Sequence, residues 1–220
     1  MNRTKIEWCD YVYNPVVGCI RGCSYCYARK MAQRFGWDFE PHWVEKAFNQ
    51  PMPRKPSFIF VGSMSDPEYW ERTWFSRIVR RILAYPQHIF LFLTKNAEAY
   101  RNPLGLPENL WLGITVTSNR EMVILNQLSD IHGLVPTRQK LFLSIEPLLE
   151  EITVLSPISC FDWVIIGAET GNRKGRVEPK QKWIQRIVDV ALEAGKPVFL
   201  KDNLRPYYSG KWYQQRPVVT

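Results

Sequence analysis

Three cysteines within eight residues constrain this chain more than any other feature. They follow the spacing C-x3-C-x2-C, with an aromatic residue just before the last: Cys19, Cys23, Tyr25 and Cys26. Thiolates so close in sequence can converge on one metal centre. Because three thiolates are one short of a closed four-ligand site, one metal position would stay open for water or another ligand. The spacing therefore predicts an iron–sulfur cluster with one open iron, held by residues 19–26, the cysteine loop.

A structural zinc site, or three buried thiols, is the alternative for the cysteine loop. Zinc sites usually combine C-x2-C pairs with a fourth Cys or His nearby. The nearest histidine along the chain is His42, which lies in an irregular stretch. The number and spacing of the thiols thus favour an iron–sulfur cluster over zinc. The other two cysteines, Cys9 and Cys160, are predicted to be small buried packing residues.

Length and charge limit the class of protein. A chain of 220 residues suits one α/β barrel or one large α/β domain, so we expect a single domain over residues 1–220. The net charge of +8 suits an anionic partner such as nucleic acid, although a generally basic enzyme would carry it too. No apolar leader and no membrane-length apolar run is visible, so no membrane partner is expected. Clustered cysteines are typical of a reducing compartment, which predicts the cytoplasm.

Short apolar strands alternate with helical segments, which predicts a mostly parallel sheet. An irregular first strand, 11–18, leads into the cysteine loop, and a helix follows it as far as Gly36. The later predicted strands are 57–61, 88–93, 110–116, 140–143, 163–166 and 198–200. The later predicted helices are 67–84, 119–131 and 180–194. An irregular insertion near 37–56 and a C-terminal tail over 204–220 complete the chain.

Nearly every predicted strand ends in polar residues. The polar or glycine positions at these ends that we select as candidate site residues are Gly62, Ser63, Asp66, Lys95, Thr115, Ser144, Glu146, Glu169 and Lys201. A βα barrel opens all of its strand ends on one face, whereas a doubly wound open sheet binds ligands mainly at one switch point. Six polar strand ends favour the barrel. We therefore predict a partial (β/α)6-type TIM-like barrel with the cysteine loop after its first strand.

The cysteine loop resembles the signature of the radical S-adenosylmethionine superfamily, through Cys19, Cys23, Tyr25 and Cys26. The resemblance implies that the three thiolates bind a 4Fe–4S cluster and that S-adenosylmethionine chelates the fourth iron. It also implies that an electron, from a donor such as flavodoxin or ferredoxin, cleaves the sulfonium to give a 5′-deoxyadenosyl radical. That radical would abstract hydrogen from a substrate. The superfamily has a partial βα barrel with its cluster loop after the first strand.

Other segments resemble a phage- and bacteria-borne family of radical-SAM-like proteins, largely uncharacterised in substrate. They are Thr4-Lys5-Ile6-Glu7-Trp8, Trp111-Leu112-Gly113-Ile114, Leu143-Ser144-Ile145-Glu146-Pro147-Leu148 and Val164-Ile165-Ile166-Gly167-Ala168-Glu169. Superfamily members often carry Gly-Gly-Glu after the second strand, to meet the amino group of S-adenosylmethionine. Here the matching place reads Gly62-Ser63-Met64-Ser65-Asp66. The stretch ending at Gly167 and Glu169 resembles an adenine-binding motif, with these two residues one position closer together.

Each candidate also has a structural alternative. Glu146, Glu169 and Lys201 are predicted to be catalytic, but either carboxylate could instead form a cap or pair with Lys95 or Lys201. Lys95 is predicted to meet a carboxylate or phosphate of a ligand, or to be solvated. Thr115 and Ser144 are predicted to bond ribose hydroxyls, or to satisfy backbone groups.

Two functions therefore follow from the sequence. The first is a radical S-adenosylmethionine enzyme that abstracts hydrogen from an unknown substrate, for which nucleic acid or a nucleotide is the leading class. The second is a zinc-containing, basic nucleic-acid-binding protein without catalysis.

Overall fold

The computed structural model describes residues 1–100, 106–127 and 139–217. The chain divides into two compact units, Met1–Leu112 and Gly113–Thr220. Each unit has its own parallel strands and helices, which confirms the α/β class. The prediction of one barrel domain over the whole chain stays a prediction.

The first unit is built on parallel strands. Its strands are β1 (Asn2–Arg3), β2 (Tyr11–Tyr13), β3 (Val16–Val17), β4 (His42–Trp43), β5 (Phe58–Val61) and β6 (Ile89–Thr94), and β7 (Leu110–Thr115) spans the boundary between the units. β2 pairs with β5 and β5 with β6 in parallel, whereas β1 joins β2 antiparallel. β3 and β4 form a separate antiparallel pair. The cysteine loop begins directly after β3.

Three α-helices accompany these strands: α1 (Tyr27–Phe35), α2 (Glu45–Phe48) and α3 (Arg72–Leu83). The sulfur of Cys26 accepts the amide of Arg29 at the start of α1, and Gly36, with φ of 64°, ends the helix. α3 buries Phe75, Ile78, Val79 and Ile82, which repeat at helical spacing along one face. Short 3₁₀ helices cover Pro67–Tyr69 and Ala97–Tyr100.

The second unit repeats the same alternation. Its elements after β7 are α4 (Asn119–Gln127), β8 (Leu141–Ile145), β9 (Trp163–Ile166), α5 (Gln181–Glu193) and β10 (Val198–Leu200), with 3₁₀ helices at Ser156–Cys160 and Asp202–Leu204. β8 pairs with β9 and β9 with β10 in parallel. Every residue of β8, β9 and β10 is buried. Continuous burial along a strand is expected where both faces of a parallel sheet are covered.

Two strands match their predicted limits, at 163–166 and 198–200, and the other later strands start or end one or two residues away. The irregular first strand is confirmed, because it breaks at Asn14 and Pro15 into β2 and β3. Residues 128–131, predicted as the end of a helix, lie outside the described residues.

The predicted continuous helix over 67–84 is wrong. A 3₁₀ turn occupies Pro67–Tyr69, and Trp70 is extended, with ψ of 138°, before α3 begins. The Trp70 indole donates to the hydroxyl of Ser65 at 3.0 Å, and its ring packs edge-on against Phe92. Burying this large side chain in the core requires the chain to leave the helical path for two residues.

Residues 37–56 contain more regular structure than predicted, and the tail pairs with the sheet. The first segment contains β4 and α2 rather than irregular chain alone. In the tail, Gln214 forms an antiparallel bridge to Phe199, and the amide of Leu200 bonds the carbonyl of Tyr213 at 2.7 Å. The tail therefore adds an edge to β10. In the described part of the chain, no helix combines the length and apolar character needed to span a membrane.

Gly113 should be intolerant of any side chain. A methyl group at this position of β7 would overlap the ring of Phe142, which is fully buried in the same unit. We expect Gly113→Ala to lower the free energy of unfolding by about 1–3 kcal/mol, the usual cost of overpacking. Urea denaturation followed by circular dichroism measures this change.

Phe142→Leu supplies the matched control. It removes the ring that the new methyl group would meet, so the double variant should lose less stability than the two single losses added together. If the stability losses of the two single variants simply add in the double variant, overlap with Phe142 is not the cause of the loss in Gly113→Ala.

Candidate functional site

The cysteine loop leaves the sheet through a close backbone approach at Gly18. The amide of Gly18 bonds the carbonyl of Met64 at 3.0 Å, and the amide of Cys19 bonds the carbonyl of Phe39 at 2.8 Å. Gly18 has φ of 101°, and a side chain there would overlap the carbonyl of Glu40. Only glycine combines this dihedral angle with this approach.

Side-chain contacts hold the cysteine loop at three further points. Arg21, between the first two cysteines, forms an ion pair of 2.9 Å with Glu68, which follows β5. Arg29 of α1 donates to the carbonyl of Cys19, and the Tyr27 hydroxyl donates to the carbonyl of Ser63. The loop is thereby attached both to α1 and to the segment after β5.

The three thiols of the loop are free and partly exposed. Burial raises the pKa of the Cys19 thiol to about 11, and the neighbouring Asp66, Cys23 and Cys26 add to the rise. Since metals bind the thiolate, Cys19 must release a proton when it becomes a ligand.

Within residues 1–100, 106–127 and 139–217, no three His, Cys, Asp or Glu side chains lie in an arrangement that would hold a metal ion. Ligation by Cys19, Cys23 and Cys26 stays a prediction. Of the remaining cysteines, Cys9 is buried as predicted, but the prediction for Cys160 is wrong. Cys160 is exposed at the end of a 3₁₀ helix that buries Pro157 and Ile158 instead.

Asp66, after β5, is a buried carboxylate with three donors. It accepts the Thr94 hydroxyl at 2.5 Å, the amide of Glu68 at 3.0 Å and the amide of Lys95 at 3.1 Å. Burial raises the pKa of the Asp66 carboxyl, and these three hydrogen bonds oppose the rise. The carboxylate thus ties the end of β6 to the turn after β5.

Other predicted ligand-binding residues of the first unit lie around the same turn. The Lys95 ammonium is 5.2 Å from the centre of the Tyr25 ring, which joins a strand-end cation to the cysteine loop. Ser63 donates to the side chain of Asn14 at 3.1 Å. Gly62 has φ of 79°, and a methyl group there would come within 2.6 Å of the Trp70 ring.

In the second unit, Glu146 and Lys201 form an ion pair, which we call the strand-end pair. Glu146 follows β8 and Lys201 follows β10, and the pair crosses the end of β9 at Gly167. A methyl group on Gly167 would lie 3.0 Å from Lys201 Cδ and 3.1 Å from Glu146 Cδ. The side chains of the pair are only 22% and 13% exposed. Because both charges have lost much of their hydration, each is stabilised mainly by its oppositely charged partner.

Glu169, which follows β9, forms an ion pair with an arginine four residues later in the chain. Its carboxylate, only 1% exposed, binds the Arg173 guanidinium through two bonds of 2.6 and 2.8 Å. A two-bond arginine contact fixes the orientation of a carboxylate, so Glu169 holds the loop after β9.

Thr115 and Ser144 are both buried, and the Ser144 side chain stands out. Its hydroxyl has no hydrogen-bond partner within the part of the chain that the structure describes. A buried hydroxyl without a partner is uncommon and calls for an explanation.

Sequence reasoning missed the residues that hold the site together. Arg21, Tyr27, Glu68 and Arg173 each make a contact across at least one turn or loop. Only Arg173 had a local signal, since it lies four residues after Glu169. The other contacts join positions 36 to 47 residues apart, which no spacing rule reveals.

The pH dependence of alkylation tests the setting of Cys19. In metal-free folded protein, iodoacetamide should label Cys19 with a rate that rises toward a midpoint near pH 11, because only the thiolate reacts. In urea the midpoint should fall to about 8.5. Trypsin cuts after Arg21, so mass spectrometry separates Cys19 from Cys23 and Cys26. A folded-state midpoint near that of the unfolded chain would show that Cys19 is not desolvated.

Nearly the whole chain matches one known protein family. Residues 3–216 match the model of one family, described as a protein of unknown function, DUF5131. A further relative is an uncharacterized protein of Methanocaldococcus jannaschii, 36% identical over 70 residues. That match covers 30% of this chain and 27% of the relative, so the chain spans well under two thirds of its length. No solved structure matches the chain. Because the family model covers nearly the whole sequence, the chain belongs to the DUF5131 family.

Proposed function

We propose that this protein is a radical S-adenosylmethionine enzyme whose 4Fe–4S cluster is held by Cys19, Cys23 and Cys26. One observation carries the proposal. Three thiols with the C-x3-C-x2-C spacing lie in a loop that is tethered, through Gly18, Arg21 and Tyr27, to the segment following a parallel strand. Strand ends of parallel sheets are where α/β proteins bind ligands.

The chemistry of the donor set supports the cluster. The three cysteines are partly exposed and none forms a disulfide, so each thiol is available for ligation. The tethers hold the first and last parts of the loop, while Gly22, with φ of 77°, lies between them. Loading requires the sulfurs to converge and Cys19 to lose its proton. When bound, the cluster and S-adenosylmethionine would supply a 5′-deoxyadenosyl radical for hydrogen abstraction.

We also propose that the two units form one partial (β/α)6-type TIM-like barrel. Support comes from each unit separately, since both carry polar side chains at the C-terminal ends of their parallel strands. In a barrel these ends share one face, which would exclude water from the reaction.

In the first unit, the residues around Asp66 would bind the methionine end of S-adenosylmethionine. Lys95, beside the Tyr25 ring, is the cation suited to its carboxylate. Gly62 would contribute backbone groups, since the Trp70 ring fills the space beside its Cα, and Ser63 would offer a hydroxyl. Asp66 already accepts three hydrogen bonds, so it would act by fixing this turn.

In the second unit, Thr115 and Ser144 would bond the ribose hydroxyls. The unpartnered hydroxyl of Ser144 supports this assignment, because a ligand would satisfy it. The strand-end pair, Glu146 and Lys201, would bind or position the substrate, and Glu169 would position the loop that carries Arg173.

The reaction consumes one electron for each S-adenosylmethionine cleaved. A small cytoplasmic electron carrier such as flavodoxin or ferredoxin would supply it, and the enzyme would work in a reducing compartment. Nucleic acid or a nucleotide is the substrate class that the net charge of +8 favours.

Anaerobic reconstitution tests the cluster. The full chain, incubated with iron and sulfide under reducing conditions, should become brown and hold about four irons per chain. With dithionite and S-adenosylmethionine it should release 5′-deoxyadenosine. Cys23→Ala should abolish this release, because it removes one of three ligands.

Cys160→Ala is the matched control, since it removes an exposed thiol outside the cysteine loop. It should reconstitute and cleave S-adenosylmethionine like the original chain. A colourless protein with one bound zinc would refute the proposal and favour the zinc-containing nucleic-acid-binding protein.

Substitution of Lys201 tests the strand-end pair. Lys201→Met should lower the rate of 5′-deoxyadenosine release at least tenfold while iron content is unchanged, because it removes the cation that would face the ligands. Lys140→Met is the matched control. Lys140 pairs with Asp162 at 2.8 Å, next to the opposite ends of β8 and β9. Equal rates for both variants would assign the strand-end pair a purely structural role.

A further inference from the structure

Helix α1 turns its large apolar side chains toward solvent. Tyr27, Met31 and Phe35 recur every four residues, and they are 48%, 39% and 54% exposed. The helix instead buries the small residues Ala28 and Ala32. Exposed apolar patches that follow one helix face commonly mark interaction sites.

Two aromatic rings at the end of α1 form a stack. The Phe35 and Trp37 rings have centroids 5.0 Å apart and planes tilted by 24°. The guanidinium of Arg34 also lies over the Phe35 ring, 5.6 Å from its centre. Trp37 remains 53% exposed despite this contact. Guanidinium and flat aromatic rings are the two groups on which unpaired nucleic-acid bases stack.

The charges along α1 have a single sign. The helix contains Arg29, Lys30 and Arg34 and no acidic residue. Arg29 bonds the carbonyl of Cys19 and lies over the Phe39 ring, whereas Lys30 and Arg34 are exposed. Asp38 and Glu40 follow the stack, and one Asp38 oxygen accepts the Glu40 amide at 3.0 Å. Both acidic side chains are exposed.

We infer that this surface, formed by Tyr27, Lys30, Met31, Arg34, Phe35 and Trp37, binds single-stranded nucleic acid. A partner must combine negative charge with flat apolar groups, and an unpaired strand presents a phosphate for every stackable base. A second copy of the chain would oppose like charges here. An acidic protein would match the charges, but only a nucleic-acid strand alternates a phosphate with a flat base at every residue.

The surface adjoins the cysteine loop in sequence, since Tyr27 directly follows Cys26. A strand bound along α1 would therefore pass beside the proposed reaction centre, which makes it the substrate class of the proposed enzyme. That last step rests on the proposed function. Binding itself requires neither iron nor S-adenosylmethionine.

Fluorescence anisotropy with the metal-free full chain tests the inference. The probe is fluorescein-labelled oligodeoxythymidylate of about 20 nucleotides, long enough for a typical binding site. Trp37→Ala should weaken binding at least about fivefold, since it removes one base-stacking platform. Lys30→Gln should weaken binding less. It should also reduce the slope of log affinity against log salt by the amount expected for about one lost phosphate contact.

Two exposed residues of α3 supply matched controls. Leu83→Ala removes an apolar side chain that is about as exposed as Trp37, and Arg80→Gln removes an exposed charge. Both should bind the probe like the original chain. Circular dichroism checks that all four variants are folded, which is expected because every changed side chain is on the surface.

Poly-L-glutamate distinguishes stacking from charge alone. It should compete at least tenfold less effectively than unlabelled oligodeoxythymidylate of equal charge. Equal competition, or equal effects of Trp37→Ala and Leu83→Ala, would overturn the inference. Binding is measured without the cluster, so the two proposals fail separately. A protein that binds the probe but does not cleave S-adenosylmethionine contradicts only the proposed function. A protein that cleaves S-adenosylmethionine but does not bind the probe contradicts only this inference.

Discussion

The backbone approach at Gly18 is the constraint on which the cysteine loop depends. Its amide reaches the carbonyl of Met64, while the next amide reaches Phe39 on the other side. The chain is thus held between two segments at the point where it leaves β3. No side chain fits there, because the Glu40 carbonyl occupies the space that a Cβ would need. The start of the loop is therefore set by backbone hydrogen bonds, and its chemistry is left to the side chains that follow.

Two buried carboxylates show how differently the strand ends are stabilised. Asp66 is surrounded by neutral donors, namely two amides and a hydroxyl, so its charge is partly uncompensated and burial raises its pKa. Glu169 is matched by the Arg173 guanidinium through two bonds. The first arrangement ties backbone segments together, and the second closes a loop. In both arrangements the carboxylate oxygens already accept hydrogen bonds. This favours a role in positioning neighbouring groups over a direct role in catalysis. Glu146 differs, because its partner Lys201 is also a strand-end residue.

The sequence was most informative where burial is continuous. β9 and β10 are apolar runs between polar residues, and such runs have few other interpretations, so their limits could be predicted. The polar strand ends were predictable for the same reason. The break at Trp70 was not, because it arises from the packing of one ring against Phe92 and Gly62. The partner of Glu169 was also missed, since a strand-end argument identifies a carboxylate but not the cation that folds back onto it.

Helix α1 shows why periodicity identifies a face but not its direction. Tyr27, Met31 and Phe35 form the apolar stripe that a core-facing helix would have. The structure buries the adjacent stripe, Ala28 and Ala32, and the Arg29 guanidinium donates to the carbonyl of Cys19. If the larger residues faced inward, the helix would be displaced outward and Arg29 would lose this reach. The tether of the cysteine loop and the exposure of the aromatic face are thus two results of the same helix orientation. Exposed apolar patches that follow one helix face commonly mark interaction sites, so this orientation has a possible use beyond the tether.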